Sequence, residues 1–205
     1  EDAWLGKATE RIFLAPIKMT MVPEIVDMDM PIEGVFHNLV ITKIKKEYAG
    51  QGQKVMNAMW GAGQMMFTKM MIVVDGDINI QNNLEVARYI SEHTDPASDF
   101  VFSQGPTDVL DHSCSTMAFG GKMGIDATRK LPEELAGRNK HVGGHDIPDG
   151  AKLKQQFPEI TDLNFSLLQK GISIIFIAVE KNRIKHVKEL SGELFKIPAF
   201  QSVKV

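Results

Sequence analysis

A continuous apolar run at residues 70–74, Met-Met-Ile-Val-Val, places the strongest constraint on how this chain can fold. A short, uniformly apolar run is typical of a strand buried on both faces of a mainly parallel sheet. The turn sequence Asp75-Gly76-Asp77 ends it. Helices are predicted around this strand at residues 4–22, 53–66 and 83–92, and strands at residues 36–46 and 99–103. This alternation predicts an α/β fold in three layers, an α/β/α sandwich.

The chain also repeats part of its own sequence. Residues 23–28, Pro-Glu-Ile-Val-Asp-Met, are similar to residues 158–163, Pro-Glu-Ile-Thr-Asp-Leu, 135 positions later. The strand that begins at Val40 and the helix around Val55 recur at an offset of 132. Because the elements follow in the same order after each hexapeptide, the pattern predicts an internal repeat.

Three segments are expected from this organisation. An α/β domain should occupy residues 1–132, and a second, truncated α/β repeat unit should occupy residues 151–205. Between them, residues 133–150 are rich in Gly, Pro, His and charge, which is typical of a linker or mobile loop. Residues 1–4 open directly onto a helical pattern and residues 201–205 resemble the start of a strand, so we expect a piece of a longer protein.

Composition narrows the functional classes. The net charge of -3 offers no general attraction for nucleic acid or an anionic membrane surface. The longest apolar run is far too short to span a bilayer, and no signal peptide is visible. The single cysteine, Cys114, excludes an internal disulfide and favours a reducing compartment such as the cytoplasm.

Residues 120–131 combine glycine, charge and little bulk, which predicts a charged loop. Its ionic side chains are Lys122, Asp126, Arg129 and Lys130. Lysines beside glycines could bind a phosphate or a carboxylate, because the backbone can approach closely. The alternative is a surface turn in which Asp126 pairs with a lysine.

Two other groups of residues could carry chemistry. Asp75 and Asp77 follow a buried strand and could hold Mg²⁺ or Mn²⁺, or they could simply form a tight turn. Asp111-His112-Ser113-Cys114 places a base near a nucleophile. Adjacent residues rarely converge in space, however, and a buried cysteine is most often a small apolar side chain.

The charged segment resembles a motif of the UbiD-type decarboxylases, G-x-K-M-G-(I/L)-D-A-T-x-K. Other blocks similar to the family follow the same order along the chain, at residues 1–6, 23–27, 44–50, 54–56, 67–69, 72–77 and 94–96. The ordered set is specific although each block is weak. The resemblance covers residues 1–132 and is to the C-terminal third of such an enzyme.

This resemblance implies a UbiD C-terminal-type fold and a role in removing CO2 from an aromatic acid such as 4-hydroxy-3-polyprenylbenzoate. Family members use prenylated FMN with Mn²⁺ and K⁺, and their catalytic Arg and Glu residues lie mainly N-terminal to the matched part. We therefore assign no catalytic residue, no metal ligand and no cofactor-binding residue to this chain. By position, Leu5, Phe67 and Thr128 would face the substrate pocket. A flavin prenyltransferase that supplies the cofactor and a homo-oligomeric assembly are also implied.

Alternatives remain open at this stage. The better-known ubiquinone-pathway enzymes end soon after the D-A-T-x-K block, whereas this chain continues, which favours a longer branch serving menaquinone, through a naphthoate, or another aromatic acid. A Met-rich helix and a repeated unit could instead form a non-catalytic self-association module. A metal-dependent phosphate enzyme using Asp75 and Asp77 is the third hypothesis.

Overall fold

The computed structural model describes residues 2–35, 38–136 and 147–200. The chain forms two compact units, Glu1–Gly137 and Arg138–Val205. The boundaries proposed from the sequence, at residues 132 and 151, stay predictions. Most of the predicted linker and the predicted strand start at residues 201–205 lie outside the described residues.

The first unit alternates helices and strands in the predicted manner. Its helices and strands, in chain order, are α1 Asp2–Thr20, β1 Ile25–Asp29, β2 Leu39–Ile44, α2 Gln51–Trp60, β3 Met70–Asp75, α3 Asn83–His93, α4 Pro96–Asp99, β4 Phe100–Pro106, β5 Phe119–Asp126 and α5 Pro132–Leu135. Short 3-10 helices lie at Ile32–Gly34 and Gly63–Phe67.

The described strands of this unit form a five-stranded sheet in the order β1-β2-β3-β5-β4. Strand β3 pairs in parallel with β2 and with β5. The edge strands β1 and β4 are antiparallel to their neighbours. The predicted α/β class is therefore confirmed, and the sheet is mixed, with parallel strands at its centre.

Apolar side chains of β3 pack into two separate cores, one on each face of the sheet. Met71 and Val73 belong to a core with residues of α1 and α2, whereas Ile72 and Val74 belong to a core with residues of α3. All four are at most 6% exposed. Burial on both faces, predicted from residues 70–74, is confirmed, and helices on both faces complete the three layers.

The ends of two helices have clear local causes. Helix α3 begins where the Asn82 side chain accepts a hydrogen bond from the Glu85 amide, the capping role expected of Asn. The helix predicted at residues 53–66 ends earlier, at Trp60. Gly61 closes it, and Gly63, the first residue of the following 3-10 helix, adopts a left-handed φ of 48°.

The expectation of a charged loop at residues 120–131 is wrong for its first half. Lys122 and Asp126 lie in strand β5, which pairs with β3 on one side and with β4 on the other. Glycine at position 124 has a packing role: a Cβ there would collide with the Met56 thioether and lie 3.0 Å from the Trp60 ring. The small residues that suggested a loop leave the space into which α2 packs.

The second unit is smaller and also contains both helices and strands. Its elements are α6 Gly150–Gln156, β6 Ile160–Asn164, α7 Ser166–Gln169, β7 Phe176–Val179, α8 His186–Leu194 and a 3-10 helix at Pro198–Phe200. Strands β6 and β7 form an antiparallel pair over an apolar core. None of the described helices in either unit is both long and apolar enough to cross a membrane.

The internal repeat exists, but its offset is 135 throughout and not 132 in the second strand and helix. The pair Ile25–Ile44 recurs as Ile160–Val179, since 160 − 25 and 179 − 44 both equal 135. A register shift follows this pair in both hairpins. Sequence similarity alone misplaced the strand because three of the four residues at 172–175, which precede β7, are also apolar.

The packing of α2 on β5 generates a prediction for two glycines of one strand. Gly124→Ala should lower the free energy of unfolding by about 1–3 kcal/mol, because a methyl group there overpacks the core. Gly121→Ala is the matched control: nothing lies within 4 Å of its Cβ position, so its effect should stay within about 0.5 kcal/mol. Both tryptophans, Trp4 and Trp60, lie in the first unit, so urea unfolding followed by their fluorescence measures the difference. Equal effects of the two substitutions would contradict this packing.

Candidate functional site

The carboxyl ends of β2, β3 and β5 meet at one edge of the sheet, because these strands are parallel. In open α/β sheets this edge is the usual ligand site. Here it carries a dense set of charged side chains, which we call the carboxyl-edge network. Its members are Lys46, Asp75, Asp77, Asp99, Asp126, Arg129, Lys130 and Glu134, with Tyr89 and Thr128 between them.

A buried ion pair joins the segment that follows β2 to α5 in this network. The Lys46 ammonium lies 2.5 Å from the Glu134 carboxylate, and also donates to Thr128 Oγ1 at 3.0 Å. The two side chains are only 3% and 10% exposed. Glu134 also accepts from the Gly50 amide, immediately before α2, and from the Leu131 amide. The Glu134 carboxylate lies at the start of α2, where it complements the helix dipole. The Lys46–Glu134 pair therefore connects the segment after β2 with α2 and α5.

The pKa of Glu134 follows from these contacts. Burial alone would raise it, but the hydrogen bonds from the Gly50 amide, Lys46 and the Leu131 amide together lower it to about 2. Glu134 is therefore ionised in the folded protein at neutral pH.

A second buried cluster centres on Asp126, at the end of β5. Its carboxylate accepts from the Thr128 amide at 3.0 Å and from the Thr128 hydroxyl at 2.5 Å. The Lys130 ammonium lies 3.4 Å from Asp126 and 3.2 Å from Asp99. A Cβ at Gly52 would collide with the Asp126 carboxylate, so the first turn of α2 rests directly on this acid. Asp126 and Lys130 are thus bound to each other and hold α2 and β5 together.

Asp75 and Asp77, the candidate metal ligands, also have partners within the protein. Asp75 accepts from the Tyr89 hydroxyl at 2.5 Å and from the Arg129 amide at 2.7 Å. Asp77 receives both terminal nitrogens of the Arg129 guanidinium, at 3.0 and 2.7 Å, and this contact lowers the pKa of Asp77. Burial, and then the bond to Asp75, raise the pKa of Tyr89. Among the described residues, no three His, Cys, Asp or Glu side chains converge as a metal site would require.

The opposite edge of the sheet carries a smaller polar cluster before β3. Lys69 pairs with Asp111 at 2.7 Å, and this bond lowers the pKa of Asp111. Cys114 Sγ lies 3.1 Å from the Asp111 carboxylate, and Ser113 Oγ lies 2.5 Å from the Lys69 ammonium. The sequence-adjacent acid and thiol therefore do converge. The acid is occupied by a lysine, so it does not serve as a base for the thiol.

Lys122 has an unusual environment at this edge. Its ammonium donates to the carbonyls of Met66 and Thr68 at 2.5 and 2.7 Å, and the residue is 5% exposed. Burial lowers the pKa of Lys122 to about 8. Lysine at this position fixes the segment between the 3-10 helix and β3, and its donors are directed at backbone oxygens.

The three predicted pocket residues lie on different elements. Leu5 is on α1 and is 55% exposed. Phe67 precedes β3, at the amino edge of the sheet, whereas Thr128 follows β5 at the carboxyl edge. Six-residue strands separate these edges by about 20 Å. Their shared pocket stays a prediction, and this geometry counts against Phe67 and Thr128 lining one small pocket together.

An open groove of about 530 Å³ lies beside β1 and the start of α2. Four of its charged side chains form two pairs, Lys54 with Glu24 at 2.7 Å and Lys45 with Glu47 at 3.0 Å. Leu5, Phe67 and Thr128 are not among its described lining residues. The groove therefore brings together none of the residues predicted from the sequence.

Sequence reasoning missed Lys46, Tyr89, Asp99 and Glu134 in the carboxyl-edge network. Lys46 and Glu134 are 88 residues apart, and no local pattern joins them. A positional signal did exist for Lys46, which closely follows a strand of the parallel sheet.

The fold and the network define an α/β domain whose carboxyl edge is closed by its own ion pairs. Residues 3–127 match the sequence profile of the C-terminal domain of 3-octaprenyl-4-hydroxybenzoate carboxy-lyase, the UbiD C-terminal domain. The match covers more than half of the chain, and the chain belongs to this family. The resemblance predicted from the sequence motifs is confirmed.

Similar full-length proteins are known from several organisms. An uncharacterized protein of Archaeoglobus fulgidus is 54% identical over 135 residues, covering 65% of this chain and 28% of the relative. One from Aquifex aeolicus is 48% identical over 134 residues, covering 65% of this chain and 27% of the relative. The chain thus spans less than a third of the length of these relatives.

Solved structures give the same result. The UbiD-class enzyme HmfF from Pelotomaculum thermopropionicum, in complex with FMN, is 25% identical with a TM-score of 0.55, over 74% of this chain and 32% of HmfF. Vanillic acid decarboxylase of Sedimentibacter hydroxybenzoicus, in its open form, is 27% identical with a TM-score of 0.58, over 72% of this chain and 31% of the enzyme. The mixed α/β fold is shared with these enzymes.

The Glu134 contacts generate a pH prediction. Glu134→Gln should lower the free energy of unfolding at neutral pH by about 2–3 kcal/mol, since the folded pKa lies well below the ordinary value. A carboxyl group with a lowered folded pKa contributes stability above its unfolded pKa and loses it as pH falls through the folded value. The difference between wild type and variant should therefore shrink between pH 4.5 and about 2. Urea unfolding across this range measures it, and a difference that does not change with pH would refute the assignment.

The pairing of Asp75 and Asp77 generates a metal prediction. Mg²⁺ or Mn²⁺ at millimolar concentration should leave the melting temperature unchanged, because binding would first have to break the contacts with Tyr89 and Arg129. Differential scanning calorimetry with and without each ion is the measurement, with Asp77→Asn as the control. A rise in wild type that Asp77→Asn abolishes would restore the hypothesis of a metal-dependent phosphate enzyme.

Proposed function

We propose that this chain is the C-terminal portion of a longer, prenylated-FMN-dependent decarboxylase that removes CO2 from an aromatic carboxylic acid. The single observation that carries the proposal is the match of residues 3–127 to the UbiD C-terminal domain. Two similar structures agree with it, one an enzyme in complex with FMN and the other a decarboxylase named for vanillic acid, which is an aromatic acid.

In this proposal the chain contributes structure to the enzyme and not the reacting groups. The acids and cations of the carboxyl-edge network hydrogen bond or ion pair with one another, and Lys69 pairs with Asp111. Groups engaged in this way are poorly placed to move a proton at a substrate. Catalytic residues are therefore expected in the remainder of the longer protein.

An exposed apolar stripe on α1 supports a role as one wall of a larger enzyme. Leu5, Ile12 and Met19 follow one another at intervals of seven residues and are 55%, 67% and 84% exposed. Side chains seven apart lie on the same face of a helix, and a continuous exposed apolar face marks a packing surface. We propose that this stripe, with Leu5 nearest the substrate, packs against the catalytic part.

The cofactor requirements belong to the same proposal. Prenylated FMN, when bound, would supply the electron sink for the carbanion left by loss of CO2. Two of the described lysines that could contact the flavin phosphate already have partners: Lys122 donates to two carbonyls and Lys69 pairs with Asp111. No three-ligand metal cluster occurs among the described residues. We therefore assign no ligand for the flavin, Mn²⁺ or K⁺ to this chain, and derive no step through them.

The substrate ring, assembly and cellular setting are further parts of the proposal. Either 4-hydroxy-3-polyprenylbenzoate or a dihydroxynaphthoate of the menaquinone pathway fits a UbiD-class decarboxylase. A flavin prenyltransferase would supply the cofactor, a homo-oligomer is the expected assembly, and the cytoplasm is the expected compartment. A non-catalytic self-association module is the second candidate, and the α1 stripe is the observation that favours it.

The proposal is tested on the longer protein, extended at both ends and loaded with prenylated FMN. We expect CO2 release from 4-hydroxy-3-prenylbenzoate or from a dihydroxynaphthoate, and the faster of the two identifies the quinone pathway. The 205-residue chain alone is the control, and should neither turn over substrate nor bind flavin. Turnover by the 205-residue chain would overturn the proposal that the catalytic residues lie in the remainder of the longer protein. A longer protein that binds no flavin but self-associates would favour the module.

A further inference from the structure

The two units share one backbone design over more than forty residues. Each register pair of the β1–β2 hairpin recurs in the β6–β7 hairpin 135 residues later. The hydrogen bond from the Lys45 amide to the Glu24 carbonyl recurs between Glu180 and Glu159. The 3-10 helix at Gly63–Phe67 recurs as Pro198–Phe200, since 198 − 63 is again 135.

The helix that follows each hairpin begins in the same way. Helix α2 starts after Gly50 and α8 after Lys185, and both residues adopt the left-handed conformation, with φ of 76° and 65°. The Glu47 amide donates to the Gln51 side chain, and the Asn182 amide donates to the His186 ring at the equivalent place. The second unit therefore copies the first unit from the hairpin to the 3-10 helix.

The copies differ in what pairs with the outer edge of the second hairpin strand, β2 in the first unit and β7 in the second. In the first unit β2 has two neighbours, β1 and β3, and β3 brings Met71 and Val73 under α2. In the second unit, β7 pairs with β6 alone among the residues that the structure describes. The other edge of β7 is where the counterpart of β3 would add.

An apolar groove of about 210 Å³ lies at that place, between β7 and α8. Its walls include Ile177, Leu190, Leu194, Phe195 and Phe200. Four of these correspond, at the offset of 135, to Val55, Met59, Trp60 and Met65, which belong to or pack against the core that encloses Met71 and Val73. Trp60 is half-buried and packs in its unit, whereas Phe195 is 40% exposed. The groove thus has the walls of the first core without its central strand.

We propose that this groove is a strand-acceptor site, and that its occupant is the segment that follows residue 205 in the longer protein of the proposed function, added to β7 as a parallel strand. In the first unit the chain enters β3 three residues after its 3-10 helix, at Met70. At the offset of 135, the counterpart of residues 71–75 would follow residue 205 and would pair with the open edge of β7. Backbone hydrogen bonds would fix the added strand, and apolar side chains at alternate positions would fill the groove.

The occupant is expected to resemble β3 in pattern. Its residues facing α8 should be apolar at every second position, as Met71 and Val73 are beneath α2. A parallel strand added here needs neither the flavin nor the active site. This inference rests on the longer chain of the proposed function, but not on its decarboxylase activity.

Hydrogen exchange measured by mass spectrometry tests the proposal. The longer natural protein is compared with the same protein ending at Phe200. We expect peptides covering β7 to exchange about tenfold more slowly, or slower still, in the longer form, because its open edge is then paired. The β1–β2 hairpin serves as the internal reference and should be unchanged. Equal exchange of β7 in both forms would overturn the proposal.

A groove variant separates strand binding from folding. Phe195→Glu alters a wall residue that is already 40% exposed, and leaves Leu190 and Leu194 in the core. In the longer protein it should remove the added protection of β7, while α8 stays protected in both forms. Lys188→Glu, on the exposed side of α8, is the matched control and should have no effect. Protection of β7 in the form ending at Phe200 that rises with protein concentration, together with a dimeric mass, would replace the proposed occupant with a second copy of the chain.

Discussion

Burial of β3 on both faces is the constraint on which the first unit depends. A strand with apolar side chains on both sides needs a layer of helices on each face, and α1 and α2 on one side and α3 on the other provide them. Polar groups are thereby displaced to the two ends of the strands. The carboxyl-edge network and the cluster around Lys69 are the two places where they collect, and both are satisfied largely from within the unit.

This arrangement explains how a domain can carry many ionisable groups at the usual ligand-binding edge of an α/β sheet while these groups pair with one another. Buried ion pairs contribute little net stability when compared with apolar packing, but removing one partner is strongly destabilising. Lys46 with Glu134, and Lys130 with Asp126 and Asp99, therefore fix the relative positions of α2, α5 and β5. A rigid wall of this kind suits a domain that completes a larger enzyme.

The sequence was most informative where a pattern is local. The apolar run of β3 and the hairpin hexapeptides both predict structure from neighbouring residues, and the motif around Asp126 predicts the family. Strand β5 was missed because its glycines and lysine resemble a loop, and only the space needed by Met56 and Trp60 explains them. The ion pairs were missed because their partners are far apart in the chain. The offset of the repeat was misread because apolar residues also precede β7.

The left-handed residue before each helix has a consequence for how the two copies have diverged. Glycine adopts this conformation freely, as Gly50 does, whereas the side chain of Lys185 makes the same conformation unfavourable by about 1 kcal/mol. The second copy has the same backbone shape without the residue best suited to it. Other contacts of its hairpin and helix must therefore stabilise that turn. Among natural variants we expect glycine to be accepted at position 185, whereas residues other than glycine should be disfavoured at position 50.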